Sequence, residues 1–294
     1  MHREPIIPTT IESGEEDIKI VELNRILERS QYGKALKENI RFSTFKPDNV
    51  SNEEWEKLLG ADVNNFDHLR LSYGLARKFA EYAENPPASW EGEVHEAAQF
   101  DKDEQADLQL AAIIHDWAEA IVGDLRYGTK TEQDEKDERD AFLKITDELL
   151  ADHVEQEVIN RTKQVFENVA MNEGTKLGRA FNAIEHMGYV RTALNAWRAA
   201  KEKVGDDQEA LRSNLYFMAQ DVLATQIASL IEYAKVYPAT RHQIVENSSL
   251  IDDIFAGPPI VLSEDNNLRK LAIDDEKWNQ AKEAWRTSMM SRRT

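Results

Sequence analysis

The chain has no cysteine among its 294 residues. That excludes a disulfide framework and any thiolate metal site. It also has no apolar run of the ~18 residues needed to span a membrane. Its first residues, Met1-His2-Arg3-Glu4-Pro5, lack the apolar stretch of a signal peptide. A cytoplasmic protein with no membrane partner is the expectation. Positive charge is scarce: 36 Lys and Arg stand against 55 Asp and Glu, a net charge of −19. A surface of that sign repels a phosphate polymer, which argues against a general DNA or RNA binder. It leaves room for a small anionic ligand, because one metal ion and a few local cations reverse the field inside a pocket. The acidity also suits a soluble protein present at high cellular concentration.

Apolar residues make up 41% of the chain, enough for a core. The length allows one large domain, or a domain of about 200 residues with extensions. No internal repeat or low-complexity tract is present. Residues 1–17 read as an extended lead with Pro5 and Pro8. A helix is expected over about 18–31 from the spacing of Ile20, Leu23 and Leu27. Residues 36–48 look irregular. Ser51-Asn52-Glu53-Glu54 reads as a capping box for a short helix through Leu59, stopped by Gly60. An amphipathic helix follows from Phe66 to about Ala83, with His68 in its first turn beside the apolar face. A central helix from about Asp103 to Val122 is apolar on almost every side. Helices are also expected over about 131–153, 155–170, Leu177–Lys203, 207–236 and 274–290. Residues 237–265, with Pro238, Pro258 and Pro259, read as looser. Trp278 and Trp285 form a packing stripe on the last helix. No convincing strand emerges, so the expected fold class is all-α.

The central helix carries the chemistry. Ile113-Ile114-His115-Asp116-Trp117-Ala118-Glu119-Ala120-Ile121-Val122-Gly123-Asp124 places a histidine and three carboxylates in an apolar setting. Burying charge without a partner costs several kcal/mol, so these groups are expected to have something to bind. Imidazole and carboxylate oxygens suit a divalent ion. His115 and Asp116 are read as its ligands, with His68 and a carboxylate from a later helix as the others. An adjacent His-Asp pair cannot meet one point by periodicity alone, but it can converge on an ion at the helix edge. Glu119 lies one turn after His115 on the same face. Asp124 follows just past the helix end. Both are placed to handle water beside the ion. The alternative is a structural ion-pair network. Arg126 and Lys130, in the Gly-containing turn after Gly123, are either phosphate contacts or solvated loop cations. His186 and His95 have no helpful spacing and read as surface or satisfied residues.

The order His68, His115-Asp116-x-x-Glu119, Gly123-Asp124, Lys130 resembles the HD-domain phosphohydrolases, nearest their bacterial 5′-deoxynucleotidase type, over roughly Arg41 to Ala200. That resemblance implies an HD-type helical bundle over 36–236, flanked by an N-terminal extension at 1–35 and a C-terminal extension with a terminal helix at 237–294. It implies one divalent cation, Mn, Co, Mg, Fe or Zn, held by His68, His115, Asp116 and a final carboxylate. It assigns catalysis to Glu119 and Asp124, and the Glu at 119 sets the chain apart from a two-metal branch. The final ligand in the family is Asp. This sequence offers Glu185 or Asn182 there, with Glu185 preferred because it is anionic. An Arg-aromatic phosphate clamp is expected before the first histidine. Arg41-Phe42 is the candidate, although it lies farther upstream than expected; Trp55 is nearer but has no adjacent Arg. The implied substrate is a small phosphorylated molecule, a nucleoside or deoxynucleoside 5′-monophosphate, contacted by Arg41, Arg126 and Lys130, and a homodimer is among the expected assemblies. Nucleoside triphosphates, cyclic nucleotides and guanosine alarmones are alternative substrates. A catalytically weak HD scaffold that binds nucleotide or protein is the alternative role.

Overall fold

A computed structural model describes residues 15–60, 63–123, 131–205, 207–262 and 273–290. Among these residues the fold is all-α. The helices are α1 Glu15–Arg29, α2 Gln31–Glu38, α3 Asn52–Leu59, α4 Asn65–Glu84, α5 Lys102–Ile114, α6 Glu119–Val122, α7 Glu132–Leu150, α8 Gln156–Val165, α9 Lys176–Glu202, α10 Glu209–Tyr233, α11 Pro238–Glu246, α12 Ser248–Ala256 and α13 Asp275–Met290. No described strand is present, only one isolated antiparallel bridge between Ile40 and Asn64. No described helix is long and apolar enough to cross a membrane.

Local chemistry explains where the helices start. Asn64 caps α4 by accepting from the Asp67 amide at 2.9 Å, and Thr175 caps α9 through the Gly178 amide at 2.9 Å. Ser51 does the same for α3 from Glu54 at 3.1 Å, and Gly60 ends that helix with φ of 101°. Each cap satisfies an amide that the first turn leaves without an intrahelical partner. Helices α4, α5 and α9 pack on one another and α10 lies along α9, together holding the core, with α13 against α10 and α11 against α4. Phe66, Leu69, Trp117, Ile184 and Leu215 are fully buried there. Trp278 and Trp285 are buried as well, with the Trp285 indole donating to Asp252 at 2.7 Å.

Three expectations from the sequence need correction. Residues 36–38 belong to α2, which begins directly after a tight corner capped by Ser30. Gly33 makes that corner possible, because a Cβ there would collide with the Leu27 carbonyl oxygen. Pro238–Glu246 and Ser248–Ala256 form α11 and α12; Pro238 at the first position of α11 starts a helix that needs no amide there. The central helix is interrupted rather than continuous to Val122. It ends at Ile114 and resumes for one turn at Glu119. In between, Trp117 donates to Ile114 at 3.0 Å, Glu119 to Asp116 at 3.0 Å and Ala120 to Trp117 at 3.1 Å, each a three-residue step. That is the spacing of a tightened 3₁₀ turn.

Candidate metal centre

The tightened turn frees carbonyls that side chains then take up. The Trp117 indole donates to the Ile113 carbonyl at 2.7 Å. The Nδ1 of His115 lies 3.1 Å from the Ala112 carbonyl. Donating there leaves the lone pair on Nε2, the arrangement in which a backbone acceptor orients a metal-binding histidine. Nε2 itself is buried and has no hydrogen-bond partner.

Three further side chains, His68, Asp116 and Glu185, converge around that nitrogen. His115 Nε2 lies 3.2 Å from Asp116 Oδ2 and 3.5 Å from Glu185 Oε1. His68 Nε2, from the first turn of α4, lies 3.7 Å from Asp116 Oδ2 and 3.7 Å from Glu185 Oε2. His68, His115 and Asp116 are buried, and their candidate ligand atoms all lie within 4.8 Å of one another. A tetrahedral site with ligand distances of about 2.1 Å has edges of about 3.4 Å. The His68, His115 and Asp116 group could therefore hold a metal ion. Glu185 supplies a carboxylate at the same point. Asn182 is engaged elsewhere, its amide donating to the Tyr233 hydroxyl at 2.9 Å.

Arg41 reaches the cluster through the isolated bridge. Its amide donates to Val63 at 2.6 Å, and the Asn65 amide donates to Asn39 at 3.1 Å. These bonds lay the segment before Phe42 along the start of α4. The long chain separation between Arg41 and His68 is closed in this way. The guanidinium donates to Asp116 Oδ2 at 2.9 Å. It also sits 5.7 Å from the ring centres of both Phe42 and Tyr189, within range of a cation–π contact.

The cluster opens into a cleft of about 240 Å³. Arg41, His115, Asp116, Glu119, Glu185 and Tyr189 line it, with Glu135, Glu138 and Glu173 adding carboxylates. Arg41 is the only Lys or Arg among the described lining residues. Glu119 is buried, and the Asn65 amide donates to its Oε2.

The charges settle each other. Burial resists ionisation of Asp116, but His115 and Arg41 outweigh it and hold the carboxyl far below its usual range. Burial opposes charge on Glu185 too, yet His115 and His68 hold it down at about 2. Burial pulls His115 down, and the carboxylates of Asp116 and Glu185 overcome it, raising the imidazole to about 9. His68 is pushed below its usual range, by burial first and by Arg41 second. Without an ion, the cluster is thus a compact set of two carboxylates against Arg41 and a protonated His115.

The structure gathers Arg41, His68, His115, Asp116, Glu119 and Glu185 around one cluster and cleft. Asp124, Arg126 and Lys130 lie outside the described residues. Asn65, Ser72 and Tyr189 belong to the site without having been singled out for it by the sequence. Ser72 lies one turn after His68 and donates to Glu185 at 3.3 Å, a spacing that could have signalled it. Asn65 carries no comparable pattern. His186, read as a surface or satisfied residue, is buried in the cleft wall with its Nδ1 unpartnered. It follows Glu185 on a helix whose apolar rows are already full. His95 is exposed and accepts from the Ala97 amide.

Comparison with models of protein families, with curated proteins and with solved structures finds no match to this chain.

Proposed function

We propose that the chain is a metal-dependent phosphohydrolase of the HD type that removes phosphate from nucleotides, nucleoside or deoxynucleoside 5′-monophosphates first among them. The observation that carries this reading is the convergence of His68, His115, Asp116 and Glu185, with His115 Nε2 buried at the centre between the two carboxylates. The donor set of two imidazoles and two carboxylates suits Mn, Co, Fe, Mg or Zn. One cation held there supplies Lewis-acid chemistry at a phosphate and lowers the pKa of water.

The chain's own residues do the rest. Arg41, beside the rings of Phe42 and Tyr189, offsets phosphate charge at the cleft wall. Glu119 is the carboxylate that takes a proton from the attacking water or delivers one to the leaving oxygen. By the sequence pattern Asp124 shares that role, and Arg126 and Lys130 add positive charge. The scarcity of cations on the described lining favours one phosphate over three.

The test is phosphate release from a panel of nucleoside mono- and triphosphates, cyclic nucleotides and alarmones. Each is assayed with Mn, Co, Mg, Fe and Zn, beside an Asp116→Ala control. Monophosphate hydrolysis that needs the added ion and vanishes in the control is the expected result. No release from any nucleotide with any ion defeats the reading.

A second reading is a catalytically silent helical scaffold. The Arg41–Asp116 pair favours it, because the charges of the cluster balance without an ion. It predicts purified protein with no bound divalent ion and no binding of added Mn or Co.

A further inference from the structure

We infer that Asn65 is a positioning residue that sets the Glu119 carboxylate against the metal cluster, a role that rests on the hydrolytic reading above. Asn65 is completely buried, an unusual place for a primary amide. It opens α4, one turn before His68, so its Cα is fixed relative to that imidazole. Its backbone amide donates to Asn39 at 3.1 Å, within the bridge that brings in Arg41. Its side-chain amide donates to Glu119 Oε2. One residue thereby joins three parts that come from distant stretches of chain: the α4 imidazole, the Arg41 segment and the carboxylate of α6.

The local fold shows why a tether is needed. Glu119 starts a helix of only four residues after the tightened turn; its amide donates to Asp116 and its carbonyl accepts from Gly123, each at 3.0 Å, so what remains to be set is the side-chain rotamer. Its side chain has several rotatable bonds and faces a cleft rich in other carboxylates. An amide donor favours the ionised carboxylate, the form that accepts a proton, and fixes the orientation of its Oε2. A lysine or arginine in the same place would neutralise the carboxylate; asparagine orients it and leaves its charge intact. The other end of the side chain, Oδ1, is buried with no partner.

The experiment compares wild type, Asn65→Ala, Asn65→Asp, Glu119→Gln and the Asn65→Ala/Glu119→Gln double variant. Asn65→Asp keeps the shape of the side chain and removes the donor, so it covers the case in which alanine fails to fold. With nucleotide and Mn²⁺, Asn65→Ala is expected to lower kcat about ten- to a hundredfold, as misplaced catalytic groups do, with KM within about twofold. It should have no further effect in the Glu119→Gln background. A loss of melting temperature alone, with kcat within about twofold of wild type, overturns the inference and leaves the hydrolytic reading standing.

A second readout needs no turnover. In protein carrying ¹³C at glutamate side-chain carboxyls and loaded with Zn²⁺, Glu119→Gln assigns the Glu119 signal. Loss of the donor in Asn65→Ala should move its titration midpoint up by about half a unit to one unit. Asn65→Asp should move it further, because a second carboxylate then competes for the same proton. An unmoved midpoint overturns the inference whether or not the protein hydrolyses nucleotides. A moved midpoint in a protein without hydrolase activity overturns the hydrolytic reading and keeps the tether.

Discussion

Asp116 is the residue on which the site's two possible states turn. It faces a protonated His115 and the Arg41 guanidinium, and only 12% of its side chain is exposed. Asp116→Ala takes a buried carboxylate away from Arg41 and His115 and should destabilise the metal-free protein by roughly 3–5 kcal/mol. Urea unfolding in the presence of a chelator measures this. The double change Arg41→Met/Asp116→Leu should restore most of that loss, because an apolar pair of similar volume replaces the ions without stranding either. It should not restore metal binding. His115 gives a second prediction. Its imidazole, raised to about 9 without an ion, holds a proton at neutral pH. Ligation needs the neutral ring, so binding must expel that proton. Affinity for Zn²⁺ should rise with pH and level off above about 9. Calorimetry in buffers of different ionisation enthalpy should show close to one proton released per ion; none released would contradict the assigned charge state.

At the scale of elements, the interrupted central helix matters most. The Trp117 indole covers a carbonyl that the 3₁₀ turn strands. Trp117→Phe keeps most of the apolar volume and removes the donor. It should cost about 1–3 kcal/mol in thermal unfolding, the penalty of a buried unsatisfied acceptor. It should also weaken metal binding by loosening the turn that carries His115 and Asp116. Much of this architecture is legible in the sequence. The apolar rows on α4 and α9 announce long buried helices, and the His115-Asp116 stretch announces itself as charge in an apolar setting. The break at 115–118 is not legible, because His115, Asp116, Trp117 and Ala118 satisfy helical and 3₁₀ spacing equally well over four residues. The choice between Asn182 and Glu185 turns on a tertiary partner: Tyr233 claims Asn182 from α10. Proline misleads at 238, where it begins a helix. The tether from Asn65 to Glu119 joins residues far apart in sequence, and no local pattern encodes such a bond. Glu138, by contrast, is buried on a helix so charged that its burial has no sequence signature.

For the whole molecule, the net charge of −19 is a self-repulsion that burial must overcome. Melting temperature should therefore rise between about 20 and 200 mM NaCl, as the screening length falls from roughly 20 Å to under 10 Å. A scan showing no rise would mean that surface ion pairs such as Lys201–Asp253 and Lys163–Asp147 already offset the repulsion locally. The acidic field also draws divalent cations toward the cleft, so the same salt should slow their association. The bridge between Ile40 and Asn64 has a consequence in time as well as in space. Its two backbone hydrogen bonds, Arg41 to Val63 and Asn65 to Asn39, are the seam that lays the Arg41 segment on the start of α4. Opening that seam alone would carry Arg41 away and loosen the tie on Asn65, so the site would disassemble at the free energy of a local opening, below that of global unfolding. The amides of Arg41 and Asn65 should exchange with solvent together, and their shared protection is the working lifetime of the assembled site.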